Sequence, residues 1–201
     1  MHTLIFATQN RFKRDEVQAM LGNDIHVLSL SDLYYEGELP ETHETLEENA
    51  LEKAQFISNK FSMDCFSEDT GLEIDALNGE PGVYSARYAG NGKSATDNIE
   101  RVLRKMSGEK NRKAKFRTIV CLILKDQIHY FEGIVNGIIS EDITGNSGFG
   151  YDPVFIPEGS NKTFATMSKE EKNRTSHRRI AVERMKEFLK THNHSDSHPG
   201  P

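Results

Sequence analysis

The chain has 201 residues, of which 36% are hydrophobic and 28% charged, and its formal net charge is −6. This length is enough for one domain with a buried core. The acidic balance argues against non-specific nucleic-acid binding, which depends on clustered Lys and Arg, so no nucleic-acid partner is expected. The longest apolar runs are too short for a membrane span, and the first residues are too polar for a signal peptide. We therefore predict a cytoplasmic protein with no membrane partner.

The first part of the chain predicts strands that alternate with helices. Residues 3–8 are an apolar run typical of a buried strand, and Asn10 is a suitable N-cap for a following helix. The apolar spacing predicts one buried helical face, with Gly22 ending the helix. That face comprises Phe12, Val17, Met20 and Leu21. Residues 24–30 predict a second short strand.

A second helix is predicted to begin at Thr45, because Thr45 and Glu48 have the spacing of a capping box. Its apolar stripe comprises Leu46, Ala50, Ala54 and Ile57. Asn49 and Lys53 share another face, and on their own they are typical of a surface pair. The next strand is predicted to start at residues 64–67.

The second half of the chain predicts a helix at residues 99–106 and a long antiparallel hairpin. The hairpin strands are two runs rich in β-branched residues, 114–124 and 127–140. A short strand is predicted at 154–156 and a last helix from Ser176. This mixture favours an α/β (mixed α+β) fold, with helices packed on a sheet.

Two features of the sequence predict no chemistry. Cys65 and Cys121 lie in apolar runs without a C-x-x-C motif, so reduced, buried thiols are expected. Residues 191–201 have a polar composition with three histidines and are expected to form a disordered tail rather than a metal site. The folded domain is therefore expected to comprise residues 1–190.

The segment from Thr8 to Lys13 joins a predicted strand to a predicted helix. Helix N-termini carry free N–H groups and a partial positive charge, which suit a phosphate group. The side chains of Thr8 and Asn10 can form hydrogen bonds, and Lys13 adds a positive charge on the first turn. The segment is not a glycine-rich phosphate loop, so alone it favours a capped helix with a surface lysine.

Two adjacent acids, Glu68 and Asp69, interrupt an apolar run and are followed by Thr70 and Gly71. Asp is depleted in strands, so this placement needs an explanation. Mg²⁺ binds a few carboxylate oxygens and keeps several waters. We predict a metal site at a strand end, where Gly71 lets the backbone turn. The alternative is an acidic turn between strands.

A third group of residues could contact a nucleobase. Phe149 lies between Gly148 and Gly150, where its ring could stack on a base or fill a core. Hydrogen-bonding side chains of the kind that can contact a base edge are Tyr151, Asp152, His177 and Arg178. Cations at the N-terminus of the last predicted helix oppose its dipole, which indicates a bound anion or polar ligand.

Together these segments resemble the inosine triphosphate pyrophosphatase family, also called dITP/XTP pyrophosphatases. The matching stretches are FATQNRFK, E-x-x-x-T-L-E-E-N-A-L-x-K-A at 41–54, SEDTGLEIDALNGEPGVYSARYAG at 67–90, SGFGYDPVF at 147–155 and MSKEEKNRTSHRRIA at 167–181. They occur in family order and cover most of the chain. Gln9 stands where many members have Gly, and residues 68–70 are Glu-Asp-Thr where others have Asp-Asp-Ser. Both departures keep the required chemistry.

The resemblance implies an elongated mixed central sheet with flanking helices, in two lobes around an active-site cleft, and a homodimer. It implies Mg²⁺-dependent hydrolysis of non-standard purine nucleoside triphosphates (ITP, dITP, XTP) to the monophosphate and pyrophosphate. Glu41 and Asp69 would bind the metal, Asp69 would be the general base, and Glu68 would strengthen the negative field. The implied substrate-binding residues are Thr8, Gln9, Asn10, Arg11, Phe12, Lys13, Lys53, Thr70, Phe149, Gly150, Tyr151, Asp152, Lys172, His177 and Arg178.

Two other functions are weighed against this one. A Maf-like nucleotide pyrophosphatase would share the broad reaction but need different base-contacting residues. A catalytically idle nucleotide-binding module would be expected to lack an acid at position 41 or 69, or Lys13, and all three residues are present.

Overall fold

The computed structural model describes residues 2–91 and 94–193. Its strands are β1 (His2–Phe6), β2 (Ile25–Ser29), β3 (Cys65–Ile74), β4 (Pro81–Gly82), β5 (Lys113–Leu124), β6 (Gln127–Ile139) and β7 (Phe155–Pro157). Its α-helices are α1 (Arg11–Leu21), α2 (Leu46–Phe61), α3 (Ala95–Lys105), α4 (Lys169–Arg174) and α5 (His177–Asn193). Short 3₁₀ turns occur at Asp75–Leu77, Ser85–Arg87 and Phe164–Thr166.

The seven strands form one mixed sheet in the order β2-β1-β3-β5-β6-β7, with β4 paired to β3. β1 is parallel to β2 and β3, whereas the remaining pairings are antiparallel. The predicted hairpin is confirmed as β5 and β6. Lys125 and Asp126 connect them, and both have positive φ, as a two-residue hairpin turn requires.

Strand β3 joins the two lobes of the molecule, a first lobe around β1 and β2 and a second lobe around β4, β7 and α3. Cys65 and Phe66 at its start pair with β1, and Leu72 and Glu73 near its end pair with β4. On the other edge all ten residues pair with β5. Between β1 and β4, the first edge of β3 at residues 67–71 is left open, and a cleft lies along this opening.

The position predicted for the acidic pair is wrong, because Glu68 and Asp69 lie inside a continuous strand and not at a strand end. Gly71 does not turn the chain. A Cβ on Gly71 would lie 2.6 Å from the carbonyl oxygen of Gly82, so glycine is needed there for the close approach of β4.

The core has three parts, set by the alternation of side chains along the strands. Leu4 and Phe6 of β1 face α1 and α5, whereas Ile5 faces α2 on the opposite side of the sheet. The third cluster lies towards β7 and includes Leu72 of β3 and residues of α3. Helices thus cover the sheet in both lobes, as the predicted mixed α+β class requires.

The predicted helix caps are confirmed, whereas some helix faces were predicted with the wrong burial. Asn10 caps α1 and Thr45 caps α2, each accepting a hydrogen bond from the backbone N–H three residues on. Phe12 was expected on the buried face of α1 but is 87% exposed. Asn49 and Lys53 were interpreted as a surface pair, and both are buried.

The C-terminal region contains one helix that the sequence did not predict, α4. Helix α5 starts at His177, one residue beyond the expected start, and includes residues 191–193 of the expected tail. Residues 194–201 of that tail lie outside the described residues. In the described part of the chain, no helix combines the length and apolar character needed to cross a membrane.

Both cysteines are free and buried, as predicted. Burial raises the pKa of Cys65 and of Cys121 to about 12. Such thiols remain protonated at neutral pH and are poor nucleophiles.

Candidate functional site

A cleft of about 1710 Å³ runs along the open edge of β3 and between the two lobes. It is lined by most of the predicted site residues, namely Phe12, Lys13, Glu41, Lys53, Asp69, Thr70, Phe149, Gly150, Tyr151, Asp152, Lys172, His177 and Arg178. The structure therefore brings together segments that are far apart in the chain. At the cleft, for example, Lys186 Nζ donates to the carbonyl oxygen of Met20, which is 166 residues away.

The strand period separates the two central acids. Ser67 and Asp69 point to the face covered by α2, where the Ser67 hydroxyl donates to the Ala50 carbonyl oxygen and Asp69 meets Lys53. Glu68 and Thr70 point to the opposite face, towards α1, β5 and α5. The cleft consequently has two differently charged walls.

On the α2 face, Lys53 connects Glu41 and Asp69. Its Nζ lies 2.6 Å from Glu41 Oε1 and 3.0 Å from Asp69 Oδ1. Asn49 of the same helix fixes the preceding loop, accepting from the His43 N–H and donating to the His43 carbonyl oxygen. That loop carries Glu41, so the buried face of α2 sets the position of both carboxylates.

Burial is the largest influence on the pKa of Asp69. It raises the pKa of Asp69 above the usual aspartate value, and this outweighs the opposing effect of the Lys53 ammonium. Burial also opposes the charge on Lys53, but the carboxylates of Asp69 and Glu41 more than compensate, so the pKa of Lys53 is raised. A carboxylate with a raised pKa is a better proton acceptor than a free aspartate.

On the opposite face, Glu68 holds two cations. Its carboxylate accepts from Lys13 Nζ at 2.8 Å and from Arg178 Nε and Nη2 at 2.8 and 2.9 Å. Arg178 also contacts Glu16 Oε2 at 2.9 Å. Burial would raise the pKa of Glu68, but Lys13 and Arg178 hold it well below its usual range. Glu68 thus stays ionised, and its negative charge is balanced by Lys13 and Arg178.

The carboxylates of Glu41 and Asp69 fit a metal ion whose other ligands come from phosphate oxygens and water. Glu41 and Asp69 both approach a single cationic atom, Lys53 Nζ, so their oxygens already converge. Among the described residues, no three His, Cys, Asp or Glu side chains form a metal-binding group. Mg²⁺ is typically held by one or two carboxylates together with phosphate oxygens and water, which matches this pair.

Four predicted residues are not among those that line the cleft, and they lie between β1 and the first residue of α1, namely Thr8, Gln9, Asn10 and Arg11. The Thr8 hydroxyl accepts from the Asn10 N–H, and Asn10 Oδ1 accepts from the Lys13 N–H. The Gln9 amide donates to the Gly37 carbonyl oxygen at 2.9 Å, away from the helix end. These side chains shape the start of α1 and thereby the position of Lys13.

A loop in the second lobe presents Phe149, whose side chain is 85% exposed at the cleft. Asp152 holds the loop, because its Oδ2 accepts from the Phe149 N–H at 2.7 Å and from Lys172 Nζ. A Cβ on Gly148 would lie 2.2 Å from that oxygen, so only glycine leaves room for the carboxylate. Phe149 therefore does not fill a core, and its ring is free to stack on a ligand.

Tyr151 contributes mainly to packing. Its side chain is buried in the core of the second lobe, and its hydroxyl donates to the Ser85 carbonyl oxygen at 2.7 Å. Burial raises the pKa of Tyr151, so the hydroxyl stays protonated. This bond fixes the turn at Ser85–Arg87, which also lines the cleft.

His177 is the first residue of α5, and its side chain is partly buried at the cleft. Burial, together with the Arg178 charge, lowers the pKa of His177 to about 4, so its ring is neutral at pH 7. The ring stacks on Phe116 with centroids 5.1 Å apart, and Nδ1 lies 2.6 Å from Thr118 Oγ1. Thr118 Oγ1 in turn lies 2.7 Å from Thr70 Oγ1.

The cation expected to mark a bound anion at the start of α5 has partners within the protein. Arg178 is balanced by Glu68 and Glu16, so its location does not by itself require a ligand. Sequence analysis missed Arg87, whose Nη1 lies 3.8 Å from Glu41 Oε2, and Thr118. Arg87 belongs to the quoted YSARYAG stretch, whereas Thr118 carries no signal, because it lies in an apolar strand.

The sheet and its two-walled cleft define a known fold. The Staphylococcus aureus Ham1 protein superposes with a TM-score of 0.89 and 37% identity, over 94% of this chain and 99% of that one. A nucleoside-triphosphatase / dITP/XTP pyrophosphatase from Mycobacterium abscessus superposes with a TM-score of 0.79 and 34% identity, over 91% of this chain and 98% of that one. The expected fold class is confirmed.

The sequence profile of the Ham1 family matches residues 4–188, and the chain belongs to this family. The dITP/XTP pyrophosphatase of Flavobacterium johnsoniae is 48% identical over 186 residues, which is 92% of this chain and 97% of that protein. That of Porphyromonas gingivalis is 44% identical over 190 residues, or 94% and 98%. The family resemblance noted in the sequence is confirmed.

Proposed function

We propose that this protein is a dITP/XTP pyrophosphatase, which hydrolyses non-standard purine nucleoside triphosphates to the monophosphate and pyrophosphate. The function carried by the curated relatives supports it. One structural observation supports it most. At a single point of β3, the cations Lys13 and Arg178 lie on one face and the Asp69–Lys53–Glu41 group on the other. A triphosphate and an attacking water can be held there side by side.

Each wall has a separate task in this proposal. Lys13 and Arg178 contact phosphate oxygens and offset the charge that builds up on the pyrophosphate leaving group. Asp69 accepts a proton from the water that attacks the α-phosphorus, and its raised pKa suits that role. Lys53 keeps Asp69 and Glu41 in position. At the start of α1, the backbone N–H groups of Arg11 and Phe12, the first two residues of the helix, would offer further donors to phosphate.

The metal cofactor of this proposal is Mg²⁺, held by Glu41 and Asp69. When bound, it would polarise phosphate oxygens and lower the pKa of a coordinated water. Glu68 is not a ligand in this scheme, because both of its oxygens are bound by Lys13 and Arg178.

The second lobe would bind the purine. Phe149 offers a ring for stacking, and Lys172 and His177 offer hydrogen-bond donors near it. Inosine and xanthine carry a 6-keto acceptor where adenine carries an amino donor, so donors in the site favour the keto bases. A donor facing a donor leaves unpaired polar groups, which can cost roughly 10⁴–10⁵-fold in selectivity.

We further propose that residues 1–190 form one catalytic domain in two lobes, that the protein is a homodimer and that it acts in the cytoplasm. The two lobes share β3, β5 and β6, which supports a single domain. The mass in solution, measured by light scattering, tests the dimer. A mass of one chain at micromolar concentration would contradict it.

The deciding experiment measures pyrophosphate release from ITP, XTP, GTP, ATP and a pyrimidine triphosphate, with and without Mg²⁺. We expect Mg²⁺-dependent release with ITP and XTP far ahead of ATP. Phosphorus NMR in ¹⁸O-labelled water should show the label in the monophosphate. Orthophosphate as the first product would exclude this reaction, and a preference for the pyrimidine substrate would favour the Maf-like alternative.

A further inference from the structure

Three residues in register across the sheet support the ring of His177. Thr70 of β3 pairs with Thr118 of β5, and Thr118 pairs with Gly133 of β6. A Cβ on Gly133 would lie 1.9 Å from the His177 carbonyl oxygen and 2.8 Å from the Ala181 nitrogen. Glycine at this position therefore lets the start of α5 lie directly on the strands, which brings the His177 ring to Thr118.

The three polar groups form one continuous chain. Thr118 is fully buried, and its hydroxyl lies 2.7 Å from the Thr70 hydroxyl and 2.6 Å from His177 Nδ1. A hydroxyl has only one proton, so Thr118 can donate to one neighbour and must accept from the other. The two directions of this chain correspond to the two neutral tautomers of His177.

In the first direction, Thr70 donates to Thr118 and Thr118 donates to His177 Nδ1. The ring proton then resides on Nε2, which points away from Thr118 and can donate to a ligand. In the second direction, His177 Nδ1–H donates to Thr118 and Thr118 donates to Thr70. Nε2 then carries a lone pair and can only accept.

We propose that Thr118 is a positioning residue for base selection, because its donated hydrogen bond holds His177 in the Nε2–H tautomer that pairs with a 6-keto base. This inference rests on the proposed function. An amino base would require the other tautomer and would reverse all three groups together. In this hydrogen-bond relay of Thr70, Thr118 and His177, the Thr70 hydroxyl donates its proton to Thr118. The Thr70 oxygen can therefore only accept a hydrogen bond from a group in the cleft. Base identity is thereby coupled to the strand that carries Asp69.

The surroundings of the His177 ring leave its tautomer to decide whether Nε2 donates or accepts a hydrogen bond. Phe116 stacks on the ring, and turning the ring over within this stack would break the hydrogen bond between Nδ1 and Thr118. The ring is neutral at pH 7, so one nitrogen donates and the other accepts. In such a ring the partner of one nitrogen determines what the other can do.

The test compares Thr118→Val, which removes the hydroxyl at nearly constant volume, with Thr118→Ser, which keeps it. We expect the kcat/KM ratio of ITP over ATP to fall about tenfold in Thr118→Val, the upper range for one neutral hydrogen bond. The loss should fall on kcat as well as KM, and Thr118→Ser should restore the ratio. The matched control is Thr163→Val, which removes another buried threonine hydroxyl, bonded to the Thr144 carbonyl outside the relay.

A second measurement does not depend on any variant. The ¹⁵N shifts of His177 in the wild-type protein with IMP bound should show the proton on Nε2. The Nδ1–H tautomer, or an unchanged ITP/ATP ratio in Thr118→Val, would overturn the relay. Failure of the wild-type protein to release pyrophosphate from ITP or XTP would instead reject the proposed function, so the two failures are distinguishable.

Discussion

Glu68 and Asp69 are adjacent in the chain, but their carboxylates point to opposite faces of β3 and meet different cations. Glu68 binds Lys13 and Arg178, whereas Asp69 binds Lys53. Their ionisation differs accordingly, since the pKa of Glu68 is lowered and that of Asp69 is raised. The two acids should therefore respond differently to the same chemical change.

Replacing Asp69 by Asn removes the proposed base and metal ligand at constant shape. We expect kcat/KM for ITP to fall by at least about 10²–10⁴-fold, the usual contribution of a general base. Burial disfavours the charged form of Asp69, so the neutral amide should leave the fold intact by circular dichroism.

The matched control for Asp69 is Glu73→Gln on the same strand and the same face. Glu73 pairs with Lys115 and Arg117 and lies outside the cleft lining. Its variant should keep near-normal turnover. Comparable activity in Asp69→Asn and Glu73→Gln would remove Asp69 from the mechanism.

The Glu68→Gln variant should chiefly lose stability. It leaves Lys13 and the partly buried Arg178 without the buried carboxylate that they share, and breaking a buried ion pair costs about 3–5 kcal/mol. Urea unfolding measures this loss. Glu16→Gln is the control, because Glu16 contacts the same Arg178 from a more exposed position and should cost only about 0–1 kcal/mol. Equal losses in both variants would contradict the central role assigned to Glu68.

The sequence was sufficient for the architecture and for most of the cleft, because strand periods, caps and motif residues are local signals. It could not predict that Glu68 and Asp69 face opposite ways, since that depends on β3 continuing through Gly71 to meet β4. It could not predict the role of Thr118 either, because the partners of Thr118 lie 48 and 59 residues away. Phe12 was misplaced because its helical spacing fitted a buried face that α1 does not use there.

The loop that carries Phe149 depends on the absence of a side chain at Gly148. Gly148→Ala would push a Cβ into the Asp152 carboxylate and strain a backbone with φ of 92°. We expect KM for ITP to rise about tenfold, the upper range for the loss of one hydrogen bond that orders the loop. Gly150→Ala in the same loop also has positive φ but no atom within 4 Å of its Cβ, so its effect should be smaller. A larger defect in Gly150→Ala would contradict this account of the loop.

Stability should depend on pH through His177. Its pKa is about 4 in the folded protein against 6.5 for a free histidine, so between these values the unfolded chain binds more protons. The folded state therefore loses stability as pH falls through this window, by about 2 kcal/mol between pH 7 and pH 5. Above pH 7 this group contributes no pH dependence.

Urea unfolding at pH 7 and pH 5 measures the change, and His177→Gln should remove most of it. His129→Gln serves as the control, because burial also lowers the pKa of His129, but His129 lies outside the residues that line the cleft. A wild-type protein that is equally stable at both pH values would show that His177 is not held neutral by its surroundings.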